Sequence, residues 1–152
     1  MPLLLATGGV LLLANGGQFL LASDTDDMHI RAPTFRTVQA GTGVAAVAWT
    51  VPLDPNALLD FTVSWSEEMT GGADTILTAV LALSAQATAA GIRIHAESHD
   101  DDSVTAWLKV DPSFQNAADW NPPGETHTIS CKVTTPKGRT HDRTFTFTVR
   151  HT

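Results

Sequence analysis

The chain opens on an apolar phrase that recurs every eight residues: Leu3-Leu4-Leu5-Ala6-Thr7-Gly8-Gly9-Val10, then Leu11-Leu12-Leu13-Ala14-Asn15-Gly16-Gly17-Gln18, then Phe19-Leu20-Leu21-Ala22-Ser23-Asp24. A short apolar run followed by a glycine pair suits a strand and a tight turn, because glycine enters the left-handed region that hairpin turns require. Side chains alternate along a strand. Leu4, Leu12 and Leu20 therefore fall on one face, and Leu3, Leu5, Leu11, Leu13, Phe19 and Leu21 on the other. Both faces are apolar. A hairpin alone buries one of them at most, and each large side chain left in water forgoes about 1.5–3 kcal/mol. The pattern predicts a cover, supplied by the following domain or by a partner chain. The short spacing leaves no room for the helical crossovers of a parallel sheet, which favours the partner chain.

Beyond a polar boundary at Ser23-Asp24-Thr25-Asp26-Asp27, residues 28–43 read as a linker or extra strand, with Pro33 as an interruption and Gln39-Ala40-Gly41-Thr42-Gly43 as a flexible link. From residue 44 the text becomes short alternating segments. Residues 44–51 form the first, and Leu59, Phe61, Val63 and Trp65 then share the buried face of the second. Residues 67–74 read as a turn, and 75–85 as a strand because Thr75, Ile76, Thr78 and Val80 are β-branched. Ile92, Ile94 and Ala96 form another alternating set. After the acidic turn at 99–103, Val104, Ala106 and Leu108 point opposite to Thr105, Trp107 and Lys109. Residues 111–125 are a proline-containing loop with a helical turn near 114–118. Strands at 126–134 and 144–151 close the chain around Pro136-Lys137-Gly138-Arg139, with Phe145, Phe147 and Val149 as an inward row. About seven short strands separated by turn signals predict an all-β fold over residues 44–152, an immunoglobulin-like antiparallel β-sandwich preceded by the glycine-punctuated hairpin or meander repeat of residues 1–27. A closed barrel is the structural alternative.

Composition adjusts this picture. The chain has 152 residues, enough to bury a core. Its net charge of -7 argues against nucleic-acid binding, which needs a basic face. The charge is uneven: Lys132, Lys137, Arg139, Arg143 and Arg150 gather late in the chain, while Asp24, Asp26, Asp27 and the run Asp100-Asp101-Asp102 lie elsewhere. Opposed patches of that kind can pair between copies, although a solvated surface explains any single residue. The first basic residue is Arg31, and glycine pairs break the leading apolar run, so that run reads neither as a secretory signal nor as a membrane span. Cys131 is the only cysteine, and it shares a strand face with Ile129 and Val133, so it reads as a small core residue.

Candidate chemistry is sparse. His95, Glu97 and His99 would share a face of a regular strand and converge as metal ligands, but nothing nearby fixes a further ligand, and a polar strand face is the better reading. The aspartate runs lack the spaced carboxylates, central glycine and closing glutamate of a calcium loop. No Gly-x-Ser-x-Gly elbow, phosphate-binding glycine loop or His-Glu-x-x-His motif occurs. The expectation is a non-enzymatic protein with no catalytic residue, metal or cofactor. Trp65 reads as core and Trp107 as an interface candidate, since buried tryptophan contributes strongly to association.

Three blocks carry a resemblance. They are Asp54-Pro55-Asn56-Ala57-Leu58-Leu59-Asp60-Phe61-Thr62-Val63-Ser64-Trp65 through Asp74-Thr75-Ile76, then Ser103-Val104-Thr105-Ala106-Trp107-Leu108, then Thr134-Thr135-Pro136-Lys137-Gly138-Arg139-Thr140-His141-Asp142-Arg143-Thr144-Phe145. In order and spacing the chain resembles a family of small bacteriophage virion proteins, fibre-tail adaptors or immunoglobulin-like structural proteins encoded among head and tail genes. The resemblance implies an assembly part located in the virion and assembled in the host bacterial cytoplasm. It would be a homo-oligomer whose partners are tail, neck, fibre or capsid proteins, with no nucleic acid and no membrane. Leu3, Leu4, Leu5, Leu11, Leu12, Leu13, Phe19, Leu20, Leu21 and Trp107 are the expected interface. Capsid decoration is the alternative, and an extracellular carbohydrate-binding module with Trp107 or Trp120 as its platform a third reading.

Overall fold

The computed structural model describes residues 31–41 and 47–152, together with the backbone of two short strands, β1 (Val10–Leu12) and β2 (Gln18–Leu20). These two pair antiparallel, Val10 opposite Leu20, and among the described residues they join no larger sheet. Leu3, Leu4, Leu5, Leu13, Leu21 and the boundary at 23–27 lie outside the described residues, as do the side chains of Leu11, Leu12, Phe19 and Leu20.

The rest is a β-sandwich. One sheet carries β3 (Thr37–Gln39), β5 (Leu58–Ser64), β8 (Ser103–Val110) and β7 (Ile92–His99) in that order. The other carries β4 (Val47–Ala48), β10 (Thr140–Val149), β9 (Glu125–Thr134) and β6 (Thr78–Leu83). Alternation decides the core. Phe61, Val63, Val104, Ala106 and Leu108 face inward from the first sheet, and Ile129, Cys131, Val133, Phe145, Phe147 and Val149 from the second. Aromatic rings tie the layers together: Trp49 lies 5.5 Å from Phe61 and 5.6 Å from Phe145, and Trp65 meets Phe145 edge-on at 6.4 Å. Two open sheets packed in this way are not a closed barrel.

The pairing is mixed rather than wholly antiparallel. β3 runs parallel to β5, and β4 parallel to β10. Both short strands come from one stretch of chain that passes along a single side of the sandwich, lining first one sheet and then the other. Trp49 and Leu53 follow it into the core.

Two segments differ from the sequence reading. The expected turn at 67–74 is α1 (Ser66–Gly72), with Glu67 and Glu68 at its positive end and Met69 buried beneath it. It stops where Ala73 turns left-handed, φ 46°. The strand expected over 75–85 stops at Leu83, and the residues after it form α2 (Ala85–Ala89), capped by the Ser84 hydroxyl, which accepts from the Ala87 amide at 3.2 Å. Each helix spans about two turns or fewer, too few for an apolar stripe to recur, which is why alternation alone misses it. The expected helical turn in 111–125 is present as two short 3-10 turns, Pro112–Phe114 and Ala118–Trp120.

Candidate interface

The chain enters the sandwich across the outer face of the first sheet. Arg31 reaches the tip of the β7–β8 hairpin, where Nε donates to Asp100 Oδ2 at 2.8 Å and Nη2 to Asp102 Oδ1 at 2.5 Å. The Ala32 amide then donates to the Thr62 hydroxyl at 2.8 Å, and Thr62 bonds Thr105 at 2.7 Å, both threonines fully buried. Arg36 follows, donating Nε to the Asp60 carbonyl at 2.8 Å and pairing with the Asp60 carboxylate. Thr37 donates its hydroxyl back to the Ala32 and Pro33 carbonyls, closing the loop on itself. Residues 31–36 thus form a strap tied down by two arginines. They are the last described residues before the chain passes back toward the apolar repeat.

Beside the strap lies an apolar surface. Phe35 is 58% exposed with the Arg36 guanidinium 5.0 Å from its ring centroid, and Leu58 is also exposed. Trp107 is half-buried on the same outer face, opposite Asp60 on β5 and Ala96 on β7. Trp120 is fully buried, its indole donating to the Phe114 carbonyl at 2.6 Å, so it offers no glycan platform.

The other candidates disperse. A β-bulge between Ile94 and Ala96 shifts the register of β7, so His95 leaves the alternation and Ala96 turns outward, away from the face of Ile92 and Ile94. Glu97 and His99 then fall on the same side as those isoleucines, at the open edge facing Ala79, around a gap of about 130 Å³. Among the described residues no three His, Cys, Asp or Glu side chains converge. The aspartate run is not merely solvated: Asp100 Oδ1 accepts from the amides of Asp102 and Ser103 while its other oxygen holds Arg31. The carbonyls of Asp101 and Asp102 accept from the amides of Ile76 and Trp65. Burial pushes the Cys131 thiol up to about 12, which keeps it protonated and unreactive.

Three of the late basic groups, Lys137, Arg139 and Arg143, find partners within the chain. Lys137 donates to the Ala73 and Gly72 carbonyls at 2.5 and 3.1 Å, covering the negative end of α1. Arg139 pairs with Asp74 at 3.5 Å and Arg143 with Glu68 at 3.5 Å, and Arg139, Asp74 and Glu68 line a cleft of about 350 Å³ beside α1. Partial burial works to raise the Asp74 pKa, but the Thr135 hydroxyl, the Thr75 amide and the charges of Lys137 and Arg139 outweigh it and hold the pKa below its usual value. His127 is fully buried between Trp120 and Phe147. Its Nε2 lies 3.4 Å from Glu125 without hydrogen-bond geometry. Burial drives its pKa down, and Glu125 opposes this only in part.

Sequence reasoning missed the strap. A signal existed: Arg31 and Arg36 are the only basic residues before Arg93, and they follow the acidic boundary directly. Two of the blocks quoted for the resemblance meet in space, since Arg139 of the last touches Asp74 of the first, and Asp54 holds the chain end through the Thr152 amide and hydroxyl at 3.0 Å. No helix among the described residues is long and apolar enough to cross a membrane. The sequence matches no protein-family model and no curated protein.

Proposed function

We propose that this chain is a non-enzymatic structural protein of a bacteriophage virion, an adaptor or fibre-like component at the tail or neck that docks through its N-terminal repeat. One observation carries the reading. The residues that lead out of the repeat are clamped to the sandwich by Arg31 and Arg36, while β1 and β2 pair only with each other among the described residues. A load that reaches Arg31 is thereby passed to a packed domain. The sequence gives the repeat two apolar faces, and its cover is a neighbouring virion protein or another copy.

The strand order supports an immunoglobulin-like lineage. Taking β3, β5, β6, β7, β8, β9 and β10 as A to G, one sheet reads A-B-E-D and the other contains C-F-G. The parallel pairing of β3 with β5 is a departure from that pattern. Phe35, Leu58 and Trp107 supply a second, smaller contact surface beside the strap.

Comparing the molar mass of the full chain with that of a chain lacking residues 1–27 tests the docking role. The reading expects fewer copies per assembly without the repeat where its cover is another copy, and an unchanged copy number overturns docking between copies. Quantitative mass spectrometry of purified particles separates the two virion positions, because decoration requires copies on the order of the major capsid protein and an adaptor far fewer.

A further inference from the structure

Among the described residues the sandwich has four edge strands, and they are not equally guarded. β3 and β4 offer three and two residues, too few to template a partner. β7 is long, but it carries Arg93, His95, Glu97 and His99 and is broken by its bulge. Charges, bulges and shortness are the devices by which edges avoid pairing. β6 has none of them. Its sequence is Thr-Ala-Val-Leu-Ala-Leu, without charge, proline or glycine, and its ladder with β9 is unbroken from Thr78 opposite Thr134 to Leu83 opposite Ile129. Val80 is 58% exposed at its middle and Leu77 56% exposed at its start.

We infer that β6 is a pairing edge and that its occupant is β6 of a second copy, laid antiparallel across a two-fold axis so that two second sheets become one. Backbone parity fixes the register open to a self-partner. The Ser84 amide donates to Thr128 on β9 at 3.0 Å. Antiparallel alternation then turns the main-chain groups of Ala82 and Val80 toward β9 and those of Ala79, Leu81 and Leu83 toward the open edge. With Leu81 opposite its own symmetry mate, Ala79 meets Leu83 and every open-edge group finds a complement. Val80 then packs beside Ala82 of the other copy, and Thr78 beside Ser84. Opposed residues point the same way in this register, so inner and outer faces stay continuous. A strand from a different protein would need a matching length and the same lack of charge. A second copy has both by symmetry. The pairing needs only the sandwich and stands apart from the repeat's docking role.

Cysteine trapping in the full chain tests the pairing. Residues 80 and 82 of opposite copies form a non-hydrogen-bonded pair with Cα atoms about 4.5 Å apart, within disulfide reach. Native Cys131 is fully buried and does not compete. A chain with Val80→Cys and Ala82→Cys should give mostly disulfide-linked dimer on oxidation, at least ten-fold more than Thr126→Cys, an exposed control on β9. Equal cross-linking of the two overturns the proposal. Val80→Lys should weaken association about ten-fold, and mixing it with Ala82→Glu chains should restore it as a heterodimer; failure of the mixture to pair overturns the antiparallel register. Slow amide exchange at Ala79, Leu81 and Leu83 without any β6 cross-link would give the edge to another strand, such as the N-terminal repeat, and overturn the second-copy assignment.

Discussion

The outer faces of the two sheets carry the same residue type and treat it oppositely. On the first sheet Thr62 and Thr105 are fully buried, their hydroxyls bonded to each other and to the Ala32 amide beneath the strap. On the second, Thr126 and Thr144 are exposed and Thr128, Thr146 and Thr148 only half-buried, with Thr126 and Thr148 sharing a 3.3 Å bond in reach of water. Both sets occupy the polar positions of alternating strands. What separates them is whether another part of the chain lies on top. Burial converts an ordinary surface threonine into an obligatory hydrogen-bonding partner.

The largest way to break this contrast is to cut the strap. The Arg36 and Asp60 side chains are only 14% and 16% exposed, so Arg36→Ala leaves a carboxylate and a backbone carbonyl short of their donor. Removing one member of a largely buried, hydrogen-bonded charge pair should cost about 2–3 kcal/mol. Arg31 makes more contacts to carboxylates but is half-exposed, and Arg31→Ala should cost under about 1 kcal/mol. Urea midpoints of the two variants decide the matter. Equal losses would mean that the strap is held by charge alone and not by its burial of the sheet.

Next in size is the threonine comparison itself. Thr62→Val keeps the shape but leaves the Ala32 amide without its acceptor, at a cost of about 1–2 kcal/mol. Thr126→Val, on the open face, should stay within about 0.5 kcal/mol. The same chemical change would thus separate the two faces in a single thermal melt, and indistinguishable melts would show that the first face is not sealed.

These effects also mark what the sequence could and could not reveal. The inward rows Phe61, Val63, Trp65 and Phe145, Phe147, Val149 were legible because a strand's period of two is written directly in the order of residues. The core position of Cys131 followed by the same rule. The strap left only the two early arginines as a signal, since Arg31 finds Asp100 and Arg36 finds Asp60 only after folding brings distant segments together, and no local period records that. The phase of β7 past His95 was hidden for a different reason: one bulged residue reverses every later side chain. The shared face weighed for His95, Glu97 and His99, and judged a polar strand face, is interrupted at that residue. The helices at 66–72 and 85–89 were obscured by length, although Ser84 followed by Ala87 was a readable cap.

The smallest effect at neutral pH lies on the inner side of the second sheet. His127 is held neutral by burial between Trp120 and Phe147, with its folded pKa lowered from 6.5. In the unfolded chain the same imidazole takes up a proton near pH 6.5, where the folded one does not, so below that pH the unfolded state binds more protons. The contribution to stability is therefore intact above about pH 6.5 and is lost as pH falls from there through the lowered folded value. Glu125, 3.4 Å away, softens the loss without reversing it. The carboxylates of Asp54 and Asp74, whose folded pKa values are also depressed, act in a separate window, at and below their usual value of 3.8. A stability profile from pH 8 to 5 should thus show a decline beginning near 6.5 in the native chain and a flatter line in His127→Phe, whose ring fits the aromatic surroundings. If the two profiles fell in parallel, the decline would not come from the buried histidine beneath the bare face.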